Sequence, residues 1–323
     1  MTLRAQLQPG LHHRADRRRF LAISAAAAGL AIVGAGPSRA AGGLTQWRGT
    51  ALGAGASITL AHPDAAAIIA RARAEIARLE AIFSLFRSDS ELVRLNATGL
   101  LRAPSPELLG CLALCSTVHA ASGGVFDPTI QPLWRLYAES HAAGAAPDAE
   151  ALQRRRALVG WQHVTFDASA VHLARPGMAL TLNGVAQGVI ADRVAALLRD
   201  EGLHDVLIDT GEICALGAAP GQGNWSVALD VEAQEAAPSV ALRDTALASS
   251  SPRGTVFDAA GAVGHIIDPR SGLAAMTEWR LISVTAPQAG LADALSTAMC
   301  LMTRDEIAGL LANFPAARLV WLS

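Results

Sequence analysis

Two short segments carry the residue types that do proton and metal chemistry. His265-Ile266-Ile267-Asp268-Pro269-Arg270-Ser271-Gly272 has turn composition and precedes Leu291-Ala292-Asp293-Ala294-Leu295-Ser296-Thr297-Ala298. An imidazole titrates near neutrality and can take a proton from a hydroxyl that is otherwise a poor nucleophile. A histidine in such a turn can equally serve only to tie the turn down. Asp293 and Thr297 are four residues apart in a segment of helical composition, so both oxygens fall on one face. Hard oxygen ligands in that arrangement suit an octahedral ion such as Mg²⁺. An Asp near a helix start also serves as a cap or dipole partner, and a helical Thr can back-bond to its own helix. The residues alone leave both readings open.

The elements that must position these groups follow from periodicity. A strand is expected at 57–60 and a helix from Pro63 and Asp64 to about Phe83, with Ile68, Ile69, Ile76, Leu79 and Ile82 at near-helical spacing. A second helix spans about 105–121 and stops at Gly123-Gly124, which releases the chain into Val125-Phe126-Asp127-Pro128-Thr129. After a loop at 144–148 come short strands at 164–166 and 178–182. Asn183-Gly184 then leads a helix with Val185, Val189, Val194, Leu197 and Leu198 as its apolar stripe and Gly202 as its stop. Strands at 206–209, 225–231, 264–267 and 281–284 alternate with turns rather than helices. The helix of Asp293 is followed by one at 304–311 and a closing strand at 318–322. This is the pattern of an α+β fold, with mixed or antiparallel sheets and flanking helices.

The first forty residues read as an export signal, cleaved from a single domain over 41–323. Arg17-Arg18-Arg19-Phe20-Leu21 precedes an Ala-rich apolar run, and Ser38-Arg39-Ala40 offers a small-residue cleavage site. The arginines followed by Phe-Leu resemble a twin-arginine signal, so the expected location is the periplasm. Roughly fifteen apolar residues are short for a span, and no stable membrane segment is expected after cleavage. Net charge is −2, and Arg154-Arg155-Arg156 is the basic cluster beyond the signal, so nucleic acid is excluded as a partner. That triplet ends a solvated helix. Cys111, Cys115, Cys214 and Cys300 lack zinc-like spacing and sit among apolar neighbours, which predicts buried free thiols. The chain contains no lysine, which removes Schiff-base, pyridoxal-phosphate and Walker-type chemistry.

Five separated segments form one pattern: Phe83-Ser84-Leu85-Phe86-Arg87-Ser88-Asp89-Ser90-Glu91 with Leu95-Asn96; Phe126-Asp127-Pro128; Asn183-Gly184-Val185-Ala186-Gln187-Gly188; His265-Ile266-Ile267-Asp268-Pro269; and Ala292-Asp293-Ala294. In this order they resemble the ApbE family, the FAD:protein FMN transferases. Within it, Thr210-Gly211-Glu212-Ile213 is similar to the branch associated with nitrous-oxide respiration. The resemblance implies a Mg²⁺-dependent attack on the FAD diphosphate, with FAD as substrate. AMP is released, and FMN is joined by a phosphoester bond to a Thr or Ser of a periplasmic acceptor flavoprotein. It implies that Asp293, Thr297 and a carbonyl near Gly184 hold the metal, with Ser296 as a further oxygen ligand. It makes His265 the base and leaves Asp268 to brace the turn or orient His265. It places Leu52 and Phe86 on the flavin ring system, Phe126 and Asp127 on the adenosine side, and Val125, Thr181, Gln187 and Ile267 in the same binding site.

Two positions depart from the family pattern. Gln187 stands where the family commonly has Lys, and Thr181 where it commonly has Asp, so one cation and one anion are missing. If that Lys steadies phosphate, affinity falls unless Arg270 or Arg253 substitutes. Two other functions compete with transfer: FAD hydrolysis to FMN and AMP, needing the same base and metal, and non-catalytic flavin binding, which the lost Lys and Asp favour.

Overall fold

The computed structural model describes residues 38–39, 43–221, 223–229 and 238–323. The export signal read over residues 1–40 lies outside these, apart from the backbone of Ser38 and Arg39. Thirteen strands are described: β1 (Ser38–Arg39), β2 (Thr45–Ala51), β3 (Ala54–Leu60), β4 (Leu100–Arg102), β5 (Val164–Phe166), β6 (Ala170–Leu173), β7 (Val206–Asp209), β8 (Ile213–Leu216), β9 (Trp225–Ala228), β10 (Ser239–Leu242), β11 (Thr245–Ser250), β12 (Ile282–Ala286) and β13 (Arg318–Leu322). The main sheet runs β1-β2-β3-β7-β8-β11-β12-β13 with every neighbour antiparallel. A three-stranded sheet, β4-β6-β5, and the hairpin pair β10-β9 complete the strand content.

The described helices are α1 (Ala65–Phe83), α2 (Glu91–Thr98), α3 (Pro106–Ala121), α4 (Gln131–Ala142), α5 (Ala149–Arg156), α6 (Ala186–Asp200), α7 (Ala289–Met299) and α8 (Arg304–Ala312). Helix α3 starts where Ser105 accepts the Leu108 N–H, and it ends at the expected glycine pair. Helix α5 has no buried residue and ends in the arginine triplet, as its composition predicts. The principal core lies between the main sheet and α1, α6 and α7. Ile58, Leu79, Ile190, Leu198, Ile208, Val284 and Leu295 are each essentially inaccessible there, and each such side chain contributes about 1.5–3 kcal/mol by leaving water. Helix α7 packs on β11, β12, α3 and α6, which fixes the segment carrying Asp293 and Thr297 in the middle of the molecule. All four cysteines are free and buried. Among the described residues no helix is long and apolar enough to cross a membrane.

Two expected strands do not form. Residues 178–182 are extended but join no ladder, because side chains and loops take their backbone groups. Asn96 accepts the Leu180 N–H at 2.7 Å and donates to its carbonyl at 2.8 Å, while the Thr181 N–H goes to the Pro128 carbonyl. Residues 264–267 make only isolated bridges, Val256 with Gly264 and Ile267 with Ala274. The strand expected at 225–231 is described as β9, ending at Ala228. Helices α2 and α4 were not evident in the apolar periodicity: α2 is short, and α4 follows a 3-10 turn at Pro128–Ile130.

Candidate active site

A cleft of about 950 Å³ opens where α6, α7, β11, the turn before β8 and the loops around residues 125–130, 250–254 and 265–280 converge. Its floor is Asp293, on the second turn of α7. That helix has no side-chain cap of its own at Gln288; Asp192 of α6 supplies one, accepting the Ala289 and Gly290 N–H groups at 2.7 and 2.9 Å. The two helices approach closely because residue 188 is glycine: a Cβ there would lie 2.4 Å from the Ala289 carbonyl. Asp293 is 3% exposed, and among the described residues its Oδ2 meets only the Gly188 N–H, at 3.4 Å. Burial, with the Asp192 charge adding to it, pushes the Asp293 carboxyl up to about 8. Glu212, also buried, lines the same cleft and accepts the Ser249 N–H at 3.2 Å. Burial and the charge of Asp293 raise its carboxyl well above the usual range.

A carboxylate so placed calls for a cation, and the neighbouring atoms are hard oxygens. Gly184 backs onto Thr297 so closely that a Cβ would sit 2.9 Å from both Thr297 Oγ1 and Cγ2. The glycine thus brings main chain beside the hydroxyl one helical turn from Asp293. Carboxylate, hydroxyl and carbonyl form a donor set that fits Mg²⁺ and lacks the soft ligands other metals prefer. Ser296 is fully buried, donates to the Asp293 carbonyl at 3.0 Å and pairs at 2.7 Å with Ser250 Oγ, which lines the cleft and lies 3.4 Å from Thr297 Oγ1.

His265 lines the cleft as well. Its Nδ1 and its backbone N–H both reach the Thr255 carbonyl, at 3.1 and 3.0 Å. A carbonyl only accepts, so Nδ1 carries the proton and Nε2 is left as the basic nitrogen. Burial pushes the imidazole below 6.5, which keeps it neutral at neutral pH. The loop that holds it rests on a separate aromatic cluster, in which Trp134 and Tyr137 of α4 contact Phe257 at 5.3 and 5.5 Å between ring centroids and Ile267 is buried beside them. Asp268 makes no hydrogen bond to His265. It accepts the Arg270 N–H at 2.8 Å and pairs with that guanidinium, bracing the turn.

The cleft also gathers Val125, Phe126, Asp127, Thr181, Gln187 and Ile267. Asp127 is a turn former in addition: it accepts from the Thr129 N–H and hydroxyl and from the Trp161 N–H. Leu52 and Phe86 are not among the residues that line this cleft. Leu52 occupies the β2–β3 turn at φ 51°, its N–H on Glu80, and Phe86 is half-buried just after α1. Two residues that matter here were not singled out as site residues in the sequence. Glu212 had a signal, an acid at a Gly turn before the apolar run Ile213–Leu216. Asp192 had none, because its helix partner is 97 residues away.

A neutral imidazole sharing a deep cleft with a carboxylate–hydroxyl–carbonyl set is the layout of a site that handles phosphoryl groups. The sequence profile of the ApbE family matches residues 52–320, and the chain belongs to that family. It is 30% identical over 262 residues to the FAD:protein FMN transferase of Treponema pallidum (strain Nichols), covering 73% of this chain and 71% of that one. A second relative carrying the same description, from Klebsiella pneumoniae (strain 342), is 30% identical over 208 residues, 61% of this chain and 63% of its own. Among solved structures, the apo form of Pseudomonas stutzeri flavinyl transferase ApbE superposes with a TM-score of 0.73 at 26% identity, covering 83% of this chain and 87% of that one. The Vibrio cholerae flavin transferase ApbE shares the fold, with a TM-score of 0.74 at 22% identity over 87% of this chain and 97% of its own.

Proposed function

We propose that this protein moves FMN from FAD to a Ser or Thr hydroxyl of an acceptor protein in the periplasm, reached through the twin-arginine signal. The observation that carries this reading is the pairing, in one cleft, of the neutral His265 with the Asp293, Thr297 and Gly184 oxygens. The acceptor oxygen attacks the FMN-side phosphorus, the bond to the AMP phosphate breaks, and the hydroxyl proton passes to Nε2 of His265. Mg²⁺ held by Asp293, Thr297 and the Gly184 carbonyl would supply neutralisation of the diphosphate oxygens as that bond breaks. Val125, Phe126 and Ile267 offer apolar surface to the dinucleotide, and Thr181 and Asp127 offer polar edges. Thr210-Gly211-Glu212-Ile213 supports a place in the branch associated with nitrous-oxide respiration.

The test is to incubate the mature protein with FAD, Mg²⁺ and a periplasmic flavin-carrier domain. Flavin fluorescence on the denatured carrier together with free AMP is the expected result. AMP with free FMN and an unlabelled carrier would make the protein a hydrolase, and uncleaved bound FAD would make it a flavin-binding protein.

A further inference from the structure

We propose that Arg253 is the side chain that grips the FAD diphosphate in this lysine-free chain. The inference rests on the transfer reading above and names a cationic group for the phosphates of the substrate.

A diphosphate brings two negative charges into a cleft that already holds Asp293 and Glu212. Cationic side chains that face the diphosphate stabilise its charge. Gln187 does not serve, being uncharged and already committed: its Nε2 donates to the Thr210 carbonyl at 2.9 Å, and Thr210 Oγ1 donates back to the Gln187 carbonyl at 2.8 Å. This clamp holds the turn that presents Glu212. Arg270, the other candidate in the sequence, is paired with Asp268 at 2.8 Å, donates to the Leu301 carbonyl at 3.1 Å, and does not line the cleft. Among the described residues, the basic side chains lining the cleft are His265, Arg253 and Arg280. His265 is neutral and occupied with proton transfer. Arg280 also lines the cleft and is exposed, at the entry to β12 with its backbone N–H on the Ser323 carbonyl, but it is not flanked, as Arg253 is, by residues that touch both Thr297 and His265.

Arg253 is placed between the two working ends. Three residues before it, Ser250 Oγ lies 3.4 Å from Thr297 Oγ1; two residues after it, the Thr255 carbonyl holds His265 Nδ1. The Arg253 main chain is pressed against the residue preceding the base, since a Cβ on Gly264 would be 3.8 Å from Arg253 Cα and 2.1 Å from the Pro252 carbonyl. The side chain is exposed to the cleft and has no hydrogen-bond or ion-pair partner among the described residues. A guanidinium offers a planar fork that matches two phosphate oxygens at once.

The experiment compares wild type, Arg253→Gln, Arg253→Lys and the double variant Arg253→Gln/Gln187→Lys, all as the mature chain with folding checked by circular dichroism. Binding of FAD, ADP and riboflavin is titrated without acceptor. Arg253→Gln is expected to weaken FAD and ADP by about 10- to 100-fold while leaving riboflavin unchanged. Arg253→Lys and the double variant are expected to recover most of the loss. Unchanged FAD affinity in Arg253→Gln overturns the proposal, and so does an equal loss of riboflavin, which would mark Arg253 as structural. Because no acceptor is present, failure of wild-type protein to transfer FMN would sink the transfer reading without touching this measurement.

Discussion

The two ends of the cleft are built by different means. Asp293 and Thr297 stand on a helix packed against the central strands β11 and β12, capped by another helix and surrounded by side chains with no accessible surface. His265 stands on a loop that pairs through isolated bridges, and its position depends on the Thr255 carbonyl and a small aromatic cluster. The charged end is thus fixed by the principal core, at the cost of a desolvated carboxylate. The basic end is fixed by a few hydrogen bonds and three rings. A group that must hold a metal gains from rigidity, and a proton acceptor needs only a defined tautomer and reach.

Breaking the charged end should have the largest effect. Asp293→Ala should lower metal-dependent transfer by about 10³-fold with the far-ultraviolet spectrum unchanged; AMP release is the readout, and wild-type turnover would remove Asp293 from the metal site. His265→Ala comes next, with FAD binding retained and transfer down about 10²-fold or more, read as labelling rate at saturating FAD.

The two ends also differ in the sign of their pH dependence. Asp293 is raised from 3.8 to about 8, so metal-free folded protein binds more protons than unfolded protein across that window, and stability falls as pH rises through it. Asp293→Asn should flatten that slope in denaturant melts made in chelator. His265 is lowered from 6.5, so its contribution runs the other way: stability is retained above pH 6.5 and lost as pH falls from there towards the folded value. The acid limb of the transfer rate should accordingly lie below pH 6.5, and a limb above 7 would show a charged imidazole. The smallest effect concerns the support between the helices: Asp192→Ala should cost about 1 kcal/mol of stability in urea melts through loss of the cap on α7.

The comparison also shows what could be read from the sequence. That Asp293 and Thr297 share a helix followed from their spacing, and both line the cleft together with His265. Ser296 is turned by about 100° from Thr297 and pairs with Ser250, a residue that lines the cleft. The α+β class and most helices followed from apolar periodicity. Residues 264–267 read as a strand because they are apolar, yet their backbone partners lie in loops rather than in a sheet. Neither Asp192 as the cap of α7 nor the Gln187–Thr210 clamp has a local signature, since both join residues far apart in the chain. Among the described residues Arg270 is paired with Asp268 and Arg253 has no such partner, a difference that the sequence does not carry.

The most direct test of this division is a Mn²⁺ titration followed by electron paramagnetic resonance on FAD-loaded wild type, Asp293→Asn and His265→Ala. Binding lost in Asp293→Asn and unchanged in His265→Ala is the predicted outcome. Equal binding in wild type and Asp293→Asn would contradict the assignment of the buried carboxylate to the metal.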